Sequence, residues 1–524
     1  MTENTGNVAY QAYTLNNSDR LENIRGNHIT IIGENLSMNN TLIINSTDIV
    51  EIINSTLDFT KLRDNDFLMC NYGTLIIENS TIISALNKSY ATAIRSFGKL
   101  NIIDTSFINK QLLVNYETKI CIIISAIFQS GGILNISNSH FENYTQAINI
   151  DRTLGSIVIG CVFIDCPYGI GLYRANNTLI KENIFMNSTA IGISIGETSN
   201  ITIENNIMRN NRELLQNTGD LFGDVTNGIK GGGTNIYIYN NTIINTFKSI
   251  FILRSESVFI ENNTITTTGT HEGEVQLEGV EYVVIRNNII TNQWDSIEIY
   301  NSRYILIEWN TIENGVTSIR IKRVDEYDGI TPSNITIRHN LIVDSGLFLI
   351  ERCLNVNITD NELYNAEISI VENSSNVIFR RNIINYKEFT IARSSYVNIT
   401  NNLIKTSIMR RISIDWSQYI TITNNTFWNT TFLIRYSSNV QITNNTIYIP
   451  TKVDVFVEVE SENINTENNK IIVLGEEEGE EQVGEEQEED EVPEAPRYEY
   501  TIYIAIIATI LVILGLLLWK KQKS

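Results

Sequence analysis

Three pairs of polar residues, each split by one apolar residue, follow one another at nearly constant spacing: Gln276 and Glu278, Glu298 and Tyr300, Arg320 and Lys322. Alternate side chains of an extended strand share a face, so each pair points the same way, one coil apart from the next. The carboxylates Glu278 and Glu298 could act together as general acid and base, or bind calcium with the acids Asp220, Asp224 and Asp328. The same residues also read as an outward ladder of opposite charges, Glu298 beside Arg320, worth only modest cross-strand stabilisation. The four histidines add nothing to either reading. His28 and His140 are isolated, His271 sits in Thr270-His-Glu272, and His339 replaces a turn Asn, so no metal site and no obligatory cofactor is expected.

The elements that must position these residues are written most plainly between Ser394 and Ile447. One phrase occurs there three times: Val397-Asn-Ile-Thr-Asn-Asn402, Ile420-Thr-Ile-Thr-Asn-Asn425 and Val440-Gln-Ile-Thr-Asn-Asn445. Eroded copies run back through Asn206, Asn241, Asn263, Asn288, Asn310, Asn340, Asn361 and Asn382. The second turn position stays Asn, while the first accepts Trp309, His339, Asp360 or Arg381. The second Asn is therefore expected to be buried and the first to face water. Asn tolerates the left-handed conformation of a sharp turn, and its amide carries both donor and acceptor. Stacked coil on coil, such amides can form a ladder. Earlier coils have Asn-Ser, Asp-Thr or Gly-Cys at this turn, where Ser and Thr hydroxyls should take over.

Each coil reads as three short strands, as in Ile368-Ser-Ile370, Val377-Ile-Phe379 and Ile383-Ile384. Strand spacing of about 4.8 Å over roughly twenty coils gives an all-β solenoid prism on the order of 100 Å long with an Ile, Val, Leu and Phe interior. Lengthened connections fall at Met208 to Asn227, Thr267 to Glu274 and Asp325 to Pro332, flanking the coils of residues 200–340. Long loops on a rigid scaffold are where function concentrates.

The formal charge of −22 argues against a nucleic-acid partner. Roughly half of that excess lies in Glu476 to Glu491, a segment without Lys or Arg. The five cysteines lack metal-ligand spacing. Cys161 and Cys166 read either as a disulfide or as two buried core thiols, and Cys161 stands at the ladder position of its coil, which favours the second.

Five segments are expected along the chain. Residues 1–27 form an N-terminal cap or lead-in without an apolar run of signal-peptide type, and 28–474 form the solenoid. An acidic, self-repelling stalk covers 475–499. Residues 500–519 have the length, apolarity and aromatic edges of a transmembrane helix, followed by a basic tail at 520–524. Lys520, Lys521 and Lys523 place the tail in the cytoplasm and the solenoid outside, a single-pass arrangement at the cell membrane with the lipid bilayer as partner. Export of the solenoid then requires an address that the first 27 residues do not display. Sequons at Asn262, Asn424 and Asn444 fall on the exposed turn Asn and are glycosylation candidates.

Repeats of the form Val-x-Ile-x-x-Asn-x-Ile over residues 28–474 resemble the right-handed parallel β-helix repeats of the pectate-lyase-like fold, shared with NosD-like maturation proteins. The membrane tether and the sequons resemble archaeal surface proteins. The resemblance implies that any polysaccharide chemistry would occupy the outer face of the first strand, where Glu278, Glu298, Arg320 and Lys322 are the candidate catalytic residues. Ser318-Ile-Arg320-Ile-Lys322 resembles the Arg-Ile-Lys element with which polygalacturonases hold a substrate carboxylate. The adjacent Asp pair, the Asn-Thr-Asp and the Gly-His-Gly of those enzymes are absent, and copper chemistry of NosD type is carried by no residue. The fold hosts enzymes, adhesins and tailspikes alike. The expected function is therefore that of a surface β-helix for adhesion, envelope architecture or carbohydrate binding, with a polysaccharide lyase or glycoside hydrolase as the alternative.

Overall fold

The computed structural model describes residues 28–474 except 112–113, 116–119, 122–123, 189, 210–226, 245–247, 267–274, 292–294 and 326–329, and leaves undescribed the side chains of residues 114–115, 120–121, 227–228 and 367–371. The stalk, transmembrane and tail segments and the lead-in lie outside the described residues, as do His271, Trp294, Asp220, Asp224 and Asp328. Among the described residues no helix is long and apolar enough to cross a membrane.

The described chain is a right-handed parallel β-helix of about 17 turns. In a representative turn Asp295–Tyr300 is the first strand, Arg303–Glu308 the second and Thr311–Glu313 the third. Each pairs in parallel with its counterpart one coil on: Glu298 opposite Arg320, Ile305 opposite Ile335, Ile312 opposite Ile342. Alternation sends Ile297, Ile299, Ile305, Ile307 and Ile312 inward, where each is at most 2% exposed. Because successive coils repeat β-branched residues at the same register, the interior consists of stacked identical side chains, and the sheet needs no helix to cover it.

Both turn positions take distinct roles. The first is left-handed throughout, at Asn205, Asn262, Asn401, Asn424 and Asn444 and equally at Trp309, His339, Asp360 and Arg381. The second points inward: Asn206, Asn241, Asn263, Asn288, Asn310, Asn340, Asn361, Asn382, Asn402, Asn425 and Asn445 are all at most 3% exposed. Each amide nitrogen donates to the side-chain oxygen of the next coil, for example Asn402 to Asn425 at 2.9 Å and Asn425 to Asn445 at 3.0 Å. Asn183 and Asn469, which the repeat reading passed over, extend the same ladder. Toward the N-terminus Ser55, Ser80, Thr105, Ser139 and Cys161 occupy the position, with the Ser55 N–H donating to Ser80 Oγ and the Cys161 N–H to Asn183 Oδ1. There Phe107, Phe141, Phe163 and Phe185 stack on the third strand, neighbouring centroids 4.6–5.1 Å apart.

Two features differ from the three-strand reading. In the C-terminal coils the third strand and the next first strand are continuous, as in Glu362–Glu372, Ile383–Ala392 and Leu403–Asp415, because that corner bends without any left-handed residue breaking the extended backbone over Ile383–Ala392 and Leu403–Asp415. A second ladder, of Ser, lines the corner before the second strand. The N–H groups of Cys353, Ser374, Ser394, Ser417 and Ser437 donate in turn to the hydroxyls of Ser374, Ser394, Ser417, Ser437 and Ser461 at 2.9–3.2 Å.

Cys70, Cys161, Cys166 and Cys353 are free and buried, so no disulfide joins Cys161 to Cys166. Cys161 lies on the ladder corner and Cys166 at the following corner, and their thiols donate to the carbonyls of Ile159 and Ile164. Burial pushes both thiols up to about 12, so the thiolate is scarce at neutral pH. The native protein at pH 8 should leave Cys161 and Cys166 unmodified by iodoacetamide, and full labelling should appear only in denaturant, read by peptide mass spectrometry.

Replacing Asn425 by Ala removes the acceptor of the Asn402 N–H and amide and the donor to Ile399 and Asn445. At about 1–3 kcal/mol for a buried group left unpaired, the loss should exceed about 2 kcal/mol in denaturant titration. Asn424→Gly next to it, at a left-handed and exposed position, should cost little.

Candidate functional site

The first strands of the central coils carry the candidate residues outward in the expected rows. Gln276 is in register with Glu298, and Glu298 with Arg320; Glu278 is in register with Tyr300, and Tyr300 with Lys322. Glu278 and Glu298 therefore occupy different rows, so they are diagonal neighbours rather than an opposed carboxylate pair.

Outward direction does not mean exposure here. Glu298 is 3% exposed, Asp295 7% and Gln276 8%. Arg320 Nη1 reaches Glu298 at 2.6 Å and Asp295 at 3.4 Å, while its Nη2 donates to Thr317 Oγ1 at 3.2 Å. One guanidinium thus serves two carboxyl groups. The Lys322 ammonium lies 5.3 Å from the Tyr300 ring centre. The Gln276 side-chain oxygen is buried without a hydrogen-bond partner.

Burial dominates the electrostatics. It raises the Glu298 carboxyl above the ordinary glutamate range, with the Asp295 charge and a hydrogen bond to it adding to the rise, against Tyr300 and Arg320. Burial likewise raises Glu278 and Tyr300. Arg320 is held more firmly protonated by Asp295 and Glu298, which outweigh its own desolvation. Burial cost thus exceeds the gain from pairing at Glu298.

Asp295 is the residue that strand alternation misses. Ile297 and Ile299 face inward, so simple alternation would also turn residue 295 away from the outer face, yet it contacts Arg320. An acid at the strand start, one coil before an Arg, is the signal that could have found it.

The remaining candidates are spread over the body. His28 and His140 contact Glu51 and Glu142, and His339 stacks on Trp309 at 4.3 Å. Among the described residues no group of three or more His, Cys, Asp or Glu side chains is placed to hold a metal ion. Asn262, Asn424 and Asn444 are exposed at left-handed turn positions. The exposed aromatics pair coil to coil, Trp416 with Tyr436 and Tyr396 with Tyr419, as do the half-buried Trp428 and Tyr448, at 4.1–4.9 Å between ring centres. Their faces cover one another.

The architecture and the outward polar rows define a right-handed parallel β-helix protein. The model of the right handed beta helix region matches residues 67–243, 227–384 and 346–475, and the chain belongs to that family. No curated protein matches it. Solved structures similar to it include the A-module of a mannuronan C-5 epimerase from Azotobacter vinelandii, at 13% identity and TM-score 0.31 over 78% of this chain and 91% of that one. An exopolygalacturonase from Thermotoga maritima matches at 12% identity and TM-score 0.29 over 74% of this chain and 84% of that one. A tailspike of the E. coli bacteriophage HK620, solved with a hexasaccharide, matches at 12% identity and TM-score 0.29 over 74% and 73%. No residue role is transferred from these.

The raised carboxyl of Glu298 has a definite pH signature. A folded-state value above the unfolded one contributes stability that is fully present below the unfolded value and is lost as pH rises through the folded value. Glu298→Gln, which mimics the protonated acid, should therefore gain on the parent chain as pH rises through that window. Paired denaturant titrations between about pH 4 and pH 8 measure the difference, and a constant offset would refute the assignment.

Proposed function

We propose that this chain is a membrane-tethered, cell-surface β-helix that binds carbohydrate on the first-strand face of its central coils without cleaving it. The observation that carries the binding reading is the pair of acids Asp295 and Glu298, on the outer face of the solenoid yet withdrawn from water and held by the half-buried Arg320, beside a Gln276 oxygen that has no hydrogen-bond partner among the described residues. Hydroxyl-rich ligands satisfy such groups by direct hydrogen bonds, and a perturbed ionisable cluster on an outer face is a functional-site candidate. Lys322 at the edge adds attraction for acidic glycans. The apolar run Ile502 to Leu518 with its trailing lysines supports the tether, and the exposed sequon residues Asn262, Asn424 and Asn444 support display outside the cell.

The enzymatic reading draws on one observation, the raised carboxyl of Glu298, which suits a proton donor. Incubating the purified solenoid with a panel of acidic and neutral polysaccharides, with and without calcium, separates the two by measuring binding and chain cleavage together. The expected outcome is saturable binding that weakens at least tenfold in Arg320→Gln and Lys322→Ala, with no new chain ends. Cleavage abolished by Glu298→Gln would establish the lyase or hydrolase instead.

A further inference from the structure

One coil further along, the corner between first and second strands opens into a cavity of about 360 Å³ lined by Arg323, Asp325, Thr331, Arg352, Leu354 and Asn373. We propose that this cavity binds an oxyanion, the carboxylate or sulfate of a small polar ligand. It lies off the first-strand face, and the inference stands independently of the carbohydrate reading of that face.

The corner is a column of equivalent positions. Asn301, Arg323, Arg352 and Asn373 follow one another, each N–H bonding the carbonyl one coil on. Asn301, Arg352 and Asn373 are left-handed, with φ of 49°, 54° and 55°. Left-handed Arg recurs along this column, at Arg152, Arg174, Arg254 and Arg393, each with its N–H on the carbonyl one coil on. Arg352 brings a guanidinium to the cavity wall.

The two guanidiniums are only partly satisfied. Arg352 Nη1 reaches Asp325 at 2.5 Å, and its Nε lies 3.7 Å from Glu351. Arg323 Nη1 donates to Thr331 Oγ1 at 3.3 Å, while its Nε, shielded from water and 3.3 Å from Asp325, makes no hydrogen bond. Among the described lining residues Asp325, 65% exposed, is the one carboxylate beside two arginines. Glu351 is in register with Lys322. Two guanidiniums thus stand in the cavity wall beside one carboxylate among the described lining residues, and guanidinium groups are what a planar or tetrahedral oxyanion binds. The volume is at the low end of small-ligand sites. Leu354, 43% exposed, offers an apolar wall, and Thr331 and Asn373 offer hydroxyl and amide partners.

The test titrates the purified chain at low salt with sodium glucuronate, sodium sulfate and glucose, using calorimetry and ligand-detected NMR. Saturable binding of glucuronate or sulfate with none of glucose is expected, and binding should fall at least tenfold in Arg352→Asn, a residue the column already accommodates, and in Arg323→Gln. Asp325→Asn should tighten binding by removing the competing carboxylate. Sulfate competing fully with glucuronate would identify a plain oxyanion site; glucuronate alone binding would show that the sugar ring is read as well. Equal binding of glucose, no saturable binding of either anion, or unchanged affinity in both arginine variants with a native circular-dichroism spectrum would overturn the proposal.

Discussion

Each coil of the solenoid depends on one problem being solved at the same corner: a sharp turn between second and third strands leaves main-chain groups inside, where no water reaches. The ladder amide answers it completely. The Asn425 oxygen accepts from the Asn402 N–H and amide, its own N–H and amide nitrogen donate to Asn445, and the nitrogen also donates to the carbonyls of Ile399 and Thr423. A carboxylate of the same shape would lack the donors and bury charge. Ser or Thr meets the same need with fewer bonds, as at Ser80, whose hydroxyl accepts from the Ser55 N–H and donates to the Glu78 carbonyl. In the coils from Thr105 to Asn183 the Phe stack supplies packing alongside the thinner ladder.

Fixing the inward residue frees the outward one. The left-handed backbone at the first turn position favours Asn or Gly, yet Trp309, His339, Asp360 and Arg381 all stand there. Their side chains compensate by pairing across coils: Trp309 stacks on His339, and Arg381 holds Asp360 with two bonds of 2.6 Å. The Arg381 guanidinium, by hydrogen bond and by charge, depresses the Asp360 carboxyl despite some desolvation. Coil-to-coil pairing of this kind tolerates varied chemistry, so the regular scaffold can display different side chains without altering its course.

These two levels of constraint decided what could be read from the residues. The Asn-Asn phrase is a packing requirement repeated at fixed spacing, so the fold, the inward Asn and the strand register, including Glu298 against Arg320, were all visible in it. The Ser ladder was not, although Ser394 before Asn402, Ser417 before Asn425 and Ser437 before Asn445 keep a fixed offset. A small hydroxyl residue is at home in any turn and carries little signal by itself. The site was legible only in part because burial of an outward face is set by what covers it rather than by the strand's own pattern. Asp295 escaped for a local reason: alternation holds within a strand and fails at its first residue, where the chain is still turning.

The geometry of that acid pair also bears on mechanism. Two-carboxylate glycoside hydrolysis needs its acid and its base or nucleophile roughly 5 to 9.5 Å apart so that a sugar ring or a water fits between them. Asp295 and Glu298 both lie against the same guanidinium nitrogen, at 3.4 and 2.6 Å, and are held as one ion-paired unit. Arg320 pairs with both acids, so neither stands free of the guanidinium. Such a unit offers acceptors fixed by an ion pair rather than a free base. Glu278, the other acid of the original pair, lies in the next row with Tyr300 as its register partner. The arrangement is therefore better suited to holding polar groups in a fixed pattern than to transferring a proton across a scissile bond, and it is on this ground that binding takes precedence over cleavage.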